Sequence, residues 1–237
     1  LALEAAETIA DRAWELRDQF LGGVSTFEEA AAVLQNRKSG DKPLVLVDIG
    51  DNPWTGGPGD SVELLRFLLA QHAQNAALAL VCDPDAVAKC MAAEPGSTLR
   101  LPLGGKTDRL HGDPIEIDAY VHLLSDGRFV NEGPMMAGVT VDLGPSAVIQ
   151  VQGIEVLVTS RAETPIDLNV FRAFGIEPTT RSLVALKGKG HFRAAFEPIS
   201  SQVMLVEGPG ITGAELSRLP FQYLSRPIWP LDRGAEW

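Results

Sequence analysis

Two short apolar runs, each feeding a loop and then a helical pattern, constrain this chain more than any other feature. Residues 43–49 (PLVLVDI) and 77–82 (ALALVC) are nearly unbroken in their hydrophobicity. Runs of that length without alternation suit strands covered on both faces, as the inner strands of parallel sheets are. After the first comes a glycine-rich stretch, 50–60 (GDNPWTGGPGD), and then 61–74, where Val62, Leu65, Leu68 and Leu69 share one helical face. After the second, Asp83-Pro84 opens a helix running to about Ala93, with Pro84 suited to the first turn. The order strand, helix, strand, helix predicts an α/β fold: a mostly parallel β-α-β sheet with right-handed crossovers.

The middle of the chain changes rhythm. From about 97 to 160 it breaks into short alternating runs separated by turn signals, among them PIEIDAYVHLL, VTVDL, SAVIQVQ and IEVLVTS. Ser125-Asp126-Gly127 and Gln152-Gly153 have hairpin-turn chemistry. An antiparallel, β-rich insertion or annexed β-layer is expected there. The α/β pattern then resumes, with a short helix over 167–174 closed by Gly175 and strands at 182–186 and 202–206. The loop at 190–196 is expected to enter a helix, and the tail is proline-rich. At the other end, Leu3, Ala6, Ile9, Ala10, Ala13, Trp14 and Phe20 recur at helical spacing, opposite Glu4, Glu7, Asp11, Glu15 and Asp18. A second short helix is expected over 25–35, with Thr26 as N-cap and Glu28-Glu29 in its first turn. A chain that opens inside a helical pattern with no initiator Met is expected to be part of a longer polypeptide; an unobserved tail is the alternative.

Charge and cysteine usage narrow the function classes. Lys and Arg number 20 against 31 Asp and Glu, a formal net charge of −11. Phosphate backbones are bound by clustered cations, so a nucleic-acid partner is not expected. No apolar run approaches the ~20 residues that span a bilayer, and the first twenty residues mix charges without a basic start, so no membrane role is expected. Cys82 and Cys90 are the only cysteines, which predicts no disulfide framework and a reduced, cytoplasmic setting. With 45% hydrophobic and 22% charged residues over 237 positions, the chain has the makings of one large domain or two small ones.

Two loops carry the residues best suited to chemistry, and each follows a predicted strand and precedes a helix, where open α/β sheets build sites. The first holds Asp51, Asn52, Gly56, Gly57, Gly59 and Asp60. It lacks the Gly-Lys-Ser/Thr ending of a phosphate loop and brings carboxylates instead, which suits hydrogen bonding to a substrate amine or amide, or to the ligands of a catalytic metal. Asp60 with Glu63 also has capping-box spacing, and the glycines also suit positive φ. The second is Lys187-Gly188-Lys189-Gly190-His191-Phe192-Arg193. Arg193 could grip a carboxylate bidentately and His191 could donate a hydrogen bond or shuttle a proton. The alternative makes His191 a helix-start residue and leaves Lys187 and Lys189 solvated. Metal: none is expected within this chain, because there is no HExxH, no paired His at ligand spacing and no CxxC. His72, His111 and His122 are scattered, and Cys82 suits a small buried hydrophobe better than a nucleophile.

Several stretches together resemble one family. GDNPWTGGPGD, LPLGGKTDRLHGDPIEIDAYVHLLSDGRF, NEGPMMAGVTVDLGPSAVIQVQGIEVLVTSR, FRAFGIEP, HFRAAFEPI and RPIWPLD are similar, in order across roughly residues 40–232, to the C-terminal region of the microcystinase C (MlrC-type) metallopeptidases. The resemblance implies a separate N-terminal domain of the same polypeptide, absent here, that carries zinc on His and acidic ligands. Residues 1–39 would then be a helical junction to it and 40–237 the C-terminal α/β domain, with its antiparallel part at about 97–160. Trp54 and Thr55 stand where many members have small residues, and Lys187–Gly190 departs from the family's usual Lys-Ser start.

The function so implied is the C-terminal, substrate-side domain of a zinc-dependent hydrolase acting on a peptide or small amide, inactive as a fragment. In it His191, Arg193 and Asp51 would be catalytic, while Asn52, Gly56, Gly57, Gly59, Asp60 and Lys187 would bind substrate. Parallel strands put their carboxyl ends on one side, so the acidic and basic loops are expected to face one cleft. The rival is a non-catalytic regulatory or homo-oligomerisation domain using the proline-rich tail and exposed Trp229 and Trp237. A third reading is a small-ligand enzyme that binds phosphate at 187–193.

Overall fold

The computed structural model describes residues 1–20, 22–38 and 40–236 and divides the chain into two compact units, Ser25–Gly213 and the pairing of Leu1–Val24 with the tail from Ala214. The larger unit is built on strands whose registers follow the apolar runs. β1 is Val24–Ser25, β2 Leu44–Asp48, β3 Ala76–Cys82 and β4 Thr98–Leu103, followed by β5 Ile115–Ser125, β6 Arg128–Val130 and β7 Thr140–Asp142. β8 is Ser146–Val151, β9 Ile154–Thr159, β10 Leu183–Lys187 and β11 Gln202–Val206. The helices are α1 Ala2–Glu15, α2 Phe27–Gln35, α3 Glu63–Ala70, α4 Pro84–Ala93, α5 Asn169–Arg172 and α6 Arg193–Phe196.

Nine strands form one mixed sheet in the order β1-β11-β2-β10-β3-β9-β8-β5-β4, and β6 with β7 form a second, two-stranded one. The run β11-β2-β10-β3-β9 is parallel throughout; β8, β5 and β4 continue it antiparallel. Every residue of β2 and β10 is buried. Their side chains alternate between two apolar clusters: Leu44, Leu46, Leu183 and Ala185 face α2, α3 and α4, while Val45, Val47, Val184 and Leu186 face Phe171, Phe174, Phe192 and Phe196. The unbroken hydrophobicity of 43–49 is therefore the signature of a strand covered twice. In β5 the pattern changes to strict alternation, Ile117, Ala119 and Val121 inward and Glu116, Asp118 and Tyr120 outward, because only one face is covered.

The α/β expectation holds, with the antiparallel β-rich insertion in the middle of the chain, and one hairpin is corrected. The alternating segment is an extension of the main sheet, with only β6 and β7 set apart, so the annexed layer is much smaller than its sequence span. Of the two predicted hairpin turns, Gln152-Gly153 joins β8 to β9 with Val151 opposite Ile154, whereas Ser125–Gly127 redirects the chain out of β5 into β6, which pairs with β7. Gly127 has φ +79, and a Cβ there would sit 1.9 Å from the Gly144 oxygen, so this turn is a packed crossing point.

α2 carries the expected cap: the Thr26 hydroxyl accepts from the Glu29 N–H at 3.1 Å and the Glu29 carboxylate accepts from the Thr26 N–H at 2.9 Å. α2 packs into the larger unit, with Ala30 fully buried and Phe27 against Phe67, ring centroids 5.2 Å apart. Residues 1–39 are thus split between the two units. In the smaller unit α1 has no buried residue, Arg17 stacks over Trp14, and Arg226 pairs with Asp232 in the tail. Trp229 is half-buried, against the expectation of exposure, and Trp237 lies outside the described residues.

Candidate functional site

The carboxyl ends of five parallel strands meet on one edge of the larger unit, and the two loops singled out by sequence both rise from it. β2 and β10 are direct neighbours, with Lys187 opposite Asp48, so 50–60 and 188–193 start side by side. They are locked together underneath by Asp51 and Lys187, both essentially fully buried, with Nζ 3.0 Å from the Asp51 carboxylate. Asp51 also accepts from the N–H groups of Gly59 at 2.7 Å and Ser61 at 2.8 Å, and Lys187 donates to the Gly59 carbonyl at 2.5 Å. Burial pushes the Asp51 carboxyl up, but the ammonium and the two N–H donors outweigh it and hold the group below its ordinary value.

The glycines are explained by the same lock. Gly59 sits at φ +77, where an L side chain is disfavoured, while its N–H and C=O serve Asp51 and Lys187. At Gly57 a Cβ would come 2.7 Å from the Asp51 carboxylate. Gly56 closes the short 3-10 turn Pro53–Thr55 at φ +105. Only Trp54, Thr55 and Gly56 of this loop are exposed.

Asn52 is buried as well. Its Oδ1 accepts from the Thr164 hydroxyl at 2.7 Å and its N–H donates to the Thr212 hydroxyl at 2.9 Å, tying in the segments that follow β9 and β11. Its Nδ2 is buried without a partner. Asp60 does not form the expected capping box: the N-cap of α3 is Val62, and the Asp60 carboxylate accepts from Lys106 N–H at 2.8 Å and Thr107 N–H at 2.9 Å. Asp83 caps α4 through the Ala86 N–H at 3.0 Å and pairs with the Lys106 ammonium at 2.7 Å.

On the surface above this lock stand the remaining candidates. His191 is exposed and packs edge-on against Trp54, ring centroids 5.1 Å apart. Arg193 lies on α6, where it pairs with Glu197 and stacks on Phe192 at 5.4 Å. Lys189 donates to the Thr212 carbonyl at 3.1 Å. The structure thus brings His191 to the tip of the first loop, holds Asp51 and Asn52 beneath that tip, and directs Arg193 along its own helix.

Sequence reasoning missed three participants. Asp48 ends β2 fully buried; its Oδ1 accepts from Gly50 and Gly208 N–H at 2.8 and 2.9 Å, its Oδ2 has no partner, and desolvation raises its pKa to about 6. Its place at the end of an apolar run was the available signal. Thr164 and Thr212 stand in no motif and come to the loop from 112 and 160 residues away. Burial raises the Cys82 thiol to about 11, away from the thiolate form that a nucleophile needs.

Among the described residues no three His, Cys, Asp or Glu side chains are grouped to hold a metal ion. Asp51, Asp60 and Asp83 are each engaged by backbone N–H groups or by a lysine, and no such group surrounds Asp48, so the described residues do not fit a zinc cage. Among the described residues no helix is long and apolar enough to cross a membrane.

Comparison with known proteins gives one consistent result. The family model described as the MlrC C-terminus matches residues 46–223. The chain is 27% identical over 190 residues to Microcystinase C of Sphingomonas sp, an overlap of 80% of this chain and 36% of that protein. A crystal structure from Mesorhizobium sp. BNC1, of a protein assigned as a metallopeptidase, matches 99% of this chain with a TM-score of 0.87 and 30% identity, over 46% of its own length. The chain spans less than half the length of either relative.

Proposed function

Because the chain belongs to the MlrC C-terminal family, we propose that it is the substrate-side part of a peptide or amide hydrolase, with zinc held by a separate N-terminal part of the same polypeptide and the whole acting in the cytoplasm. Two things support a metal-dependent hydrolase: the names of the relatives, and the fact that each is more than twice the length of the stretch shared with this chain. In this reading 40–237 supplies binding and orientation, and the metal's ligands lie elsewhere.

The observation that carries the assignment is the contact between Trp54 and His191 above a buried ion pair. The Asp51–Lys187 pair fixes both loops, so the exposed imidazole is held in one place by a rigid base. Preorganisation of that kind is what lets a polar group orient a substrate carbonyl without paying for its own ordering. His191 hydrogen-bonds the substrate next to the scissile amide, and Arg193 meets a substrate carboxylate by exchanging its Glu197 partner. Asp51, Asn52, Asp60, Lys187 and the three glycines act as positioning residues of the loop.

The test uses the whole polypeptide. His191→Ala and Arg193→Ala, both at exposed positions, should lower kcat/KM by roughly a hundredfold while metal content and Tm stay unchanged. Wild-type rates in both variants would overturn the assignment.

A further inference from the structure

We infer that the cavity beside Trp54 is a binding subsite for an apolar side chain that carries an N–H or O–H donor. The inference rests on the hydrolase reading only for the identity of that ligand as part of a substrate. The cavity measures about 130 Å³ and lies between the β6–β7 sheet and the segment 163–170. Its walls include Phe129, Ile166 and Val170, all nearly or fully buried, with Trp54 on one side and exposed Met136 and Val139 at the mouth.

Size and polarity select the ligand. An apolar cavity of roughly 150 Å³ takes a benzene ring, so this one suits a phenyl or branched aliphatic group. Among the described lining residues one buried side-chain polar atom is left without a partner: Asn131 is 2% exposed and its Oδ1 accepts no hydrogen bond. A buried acceptor without a partner is costly, and a ligand that supplies the donor recovers that cost. The polar groups of 163–167 are engaged. Thr164 Oγ1 bonds Asn52, Glu163 accepts from the Trp54 indole N–H, and Asp167 accepts from the Glu132 and Asn169 N–H groups at 3.0 and 2.7 Å. Trp54 is at once a wall of the cavity and the ring against which His191 packs. A side chain seated here therefore places its own backbone next to the imidazole.

Two isomers, benzyl alcohol and anisole, separate the parts of the claim, because they share size and atoms and only the first has a donor. Titrated into the whole polypeptide and followed by ligand-observed NMR, benzyl alcohol should bind about fivefold or more tightly than anisole. Asn131→Leu should remove that preference, and Val139→Trp, placed at the mouth, should abolish binding of both. Should Val139→Trp fail to fold, Asn131→Leu decides alone. Equal affinity for the isomers, or binding that survives both substitutions unchanged, overturns the inference. Peptide hydrolysis forms the second arm: Phe- or Leu-containing substrates should be preferred over Ala or Glu at one position, and Val139→Trp should erase the preference. Binding without hydrolysis would uphold the subsite and sink the hydrolase reading, whereas hydrolysis indifferent to side chain and to Val139→Trp would sink the subsite alone.

Discussion

Asp48 and Asp51 stand three residues apart and respond to burial in opposite directions. Asp51 has a lysine and two N–H donors, so its charged form is favoured in the fold; its contribution exists above the ordinary carboxyl range and fades as pH falls. Asp48 is raised from 3.8 to about 6 by desolvation, so the fold prefers its neutral form. That contribution is complete below pH ~4 and lost as pH rises through about 6, and the gap is worth about 3 kcal/mol. Asp48→Asn keeps an oxygen for the Gly50 and Gly208 N–H groups and mimics the neutral acid. It should match wild type in urea unfolding near pH 4 and be more stable by a few kcal/mol at pH 8; a pH-independent difference would remove the explanation. Breaking the Asp51–Lys187 pair by Lys187→Met should cost about 3–5 kcal/mol, since it strands a buried charge. The double variant Asp51→Leu/Lys187→Met should lose less than the sum of the two single changes, measurable in the same unfolding series.

At the scale of elements, what lay open in the sequence was whatever depends on neighbours in the chain. Thr26 with Glu29 forms its capping box as spacing demands, and Thr26→Ala should lower stability by about 1 kcal/mol in thermal unfolding, with Ser restoring it. Asp83 caps α4, β11 spans the expected residues, and the Gln152-Gly153 hairpin closes as its turn chemistry requires. What did not show depends on partners far away. Asp60 has the spacing of a cap for α3, yet Lys106 and Thr107 claim its carboxylate from 46 and 47 residues on. Ser125–Gly127 has hairpin chemistry, but the main sheet takes β5 between β4 and β8 and leaves β6 to pair with β7. For the candidate site the same rule holds. The edge on which the two loops lie followed from strand order, while the burial of Asp51 and Asn52 came from Thr164 and Thr212, which no local pattern marks, and from Lys187, which the loop pattern marked for substrate and not for Asp51. The cavity beside Trp54 draws its walls from three separate stretches of chain, so no window of sequence contains it.

For the whole molecule the two units differ in what holds them. Both apolar clusters lie entirely within Ser25–Gly213, and the five-strand parallel run and its helices close that core on both faces. α1, by contrast, is an amphipathic helix with no buried residue, and Leu3, Ile9 and Phe20 of its segment are each about 70% exposed. Helices of such length owe most of their stability to packing of an apolar face, and in α1 only Ala10 and Trp14 are half-buried. Its contribution to the stability of the larger unit is therefore expected to be below about 1 kcal/mol, which for a domain of this size corresponds to a Tm change of no more than about 4 °C. Removing residues 1–22, which leaves β1 and α2 in place, should preserve a single cooperative transition in calorimetry with Tm inside that margin. A fall well beyond it, or a split transition, would show that the core of the larger unit draws on α1 after all.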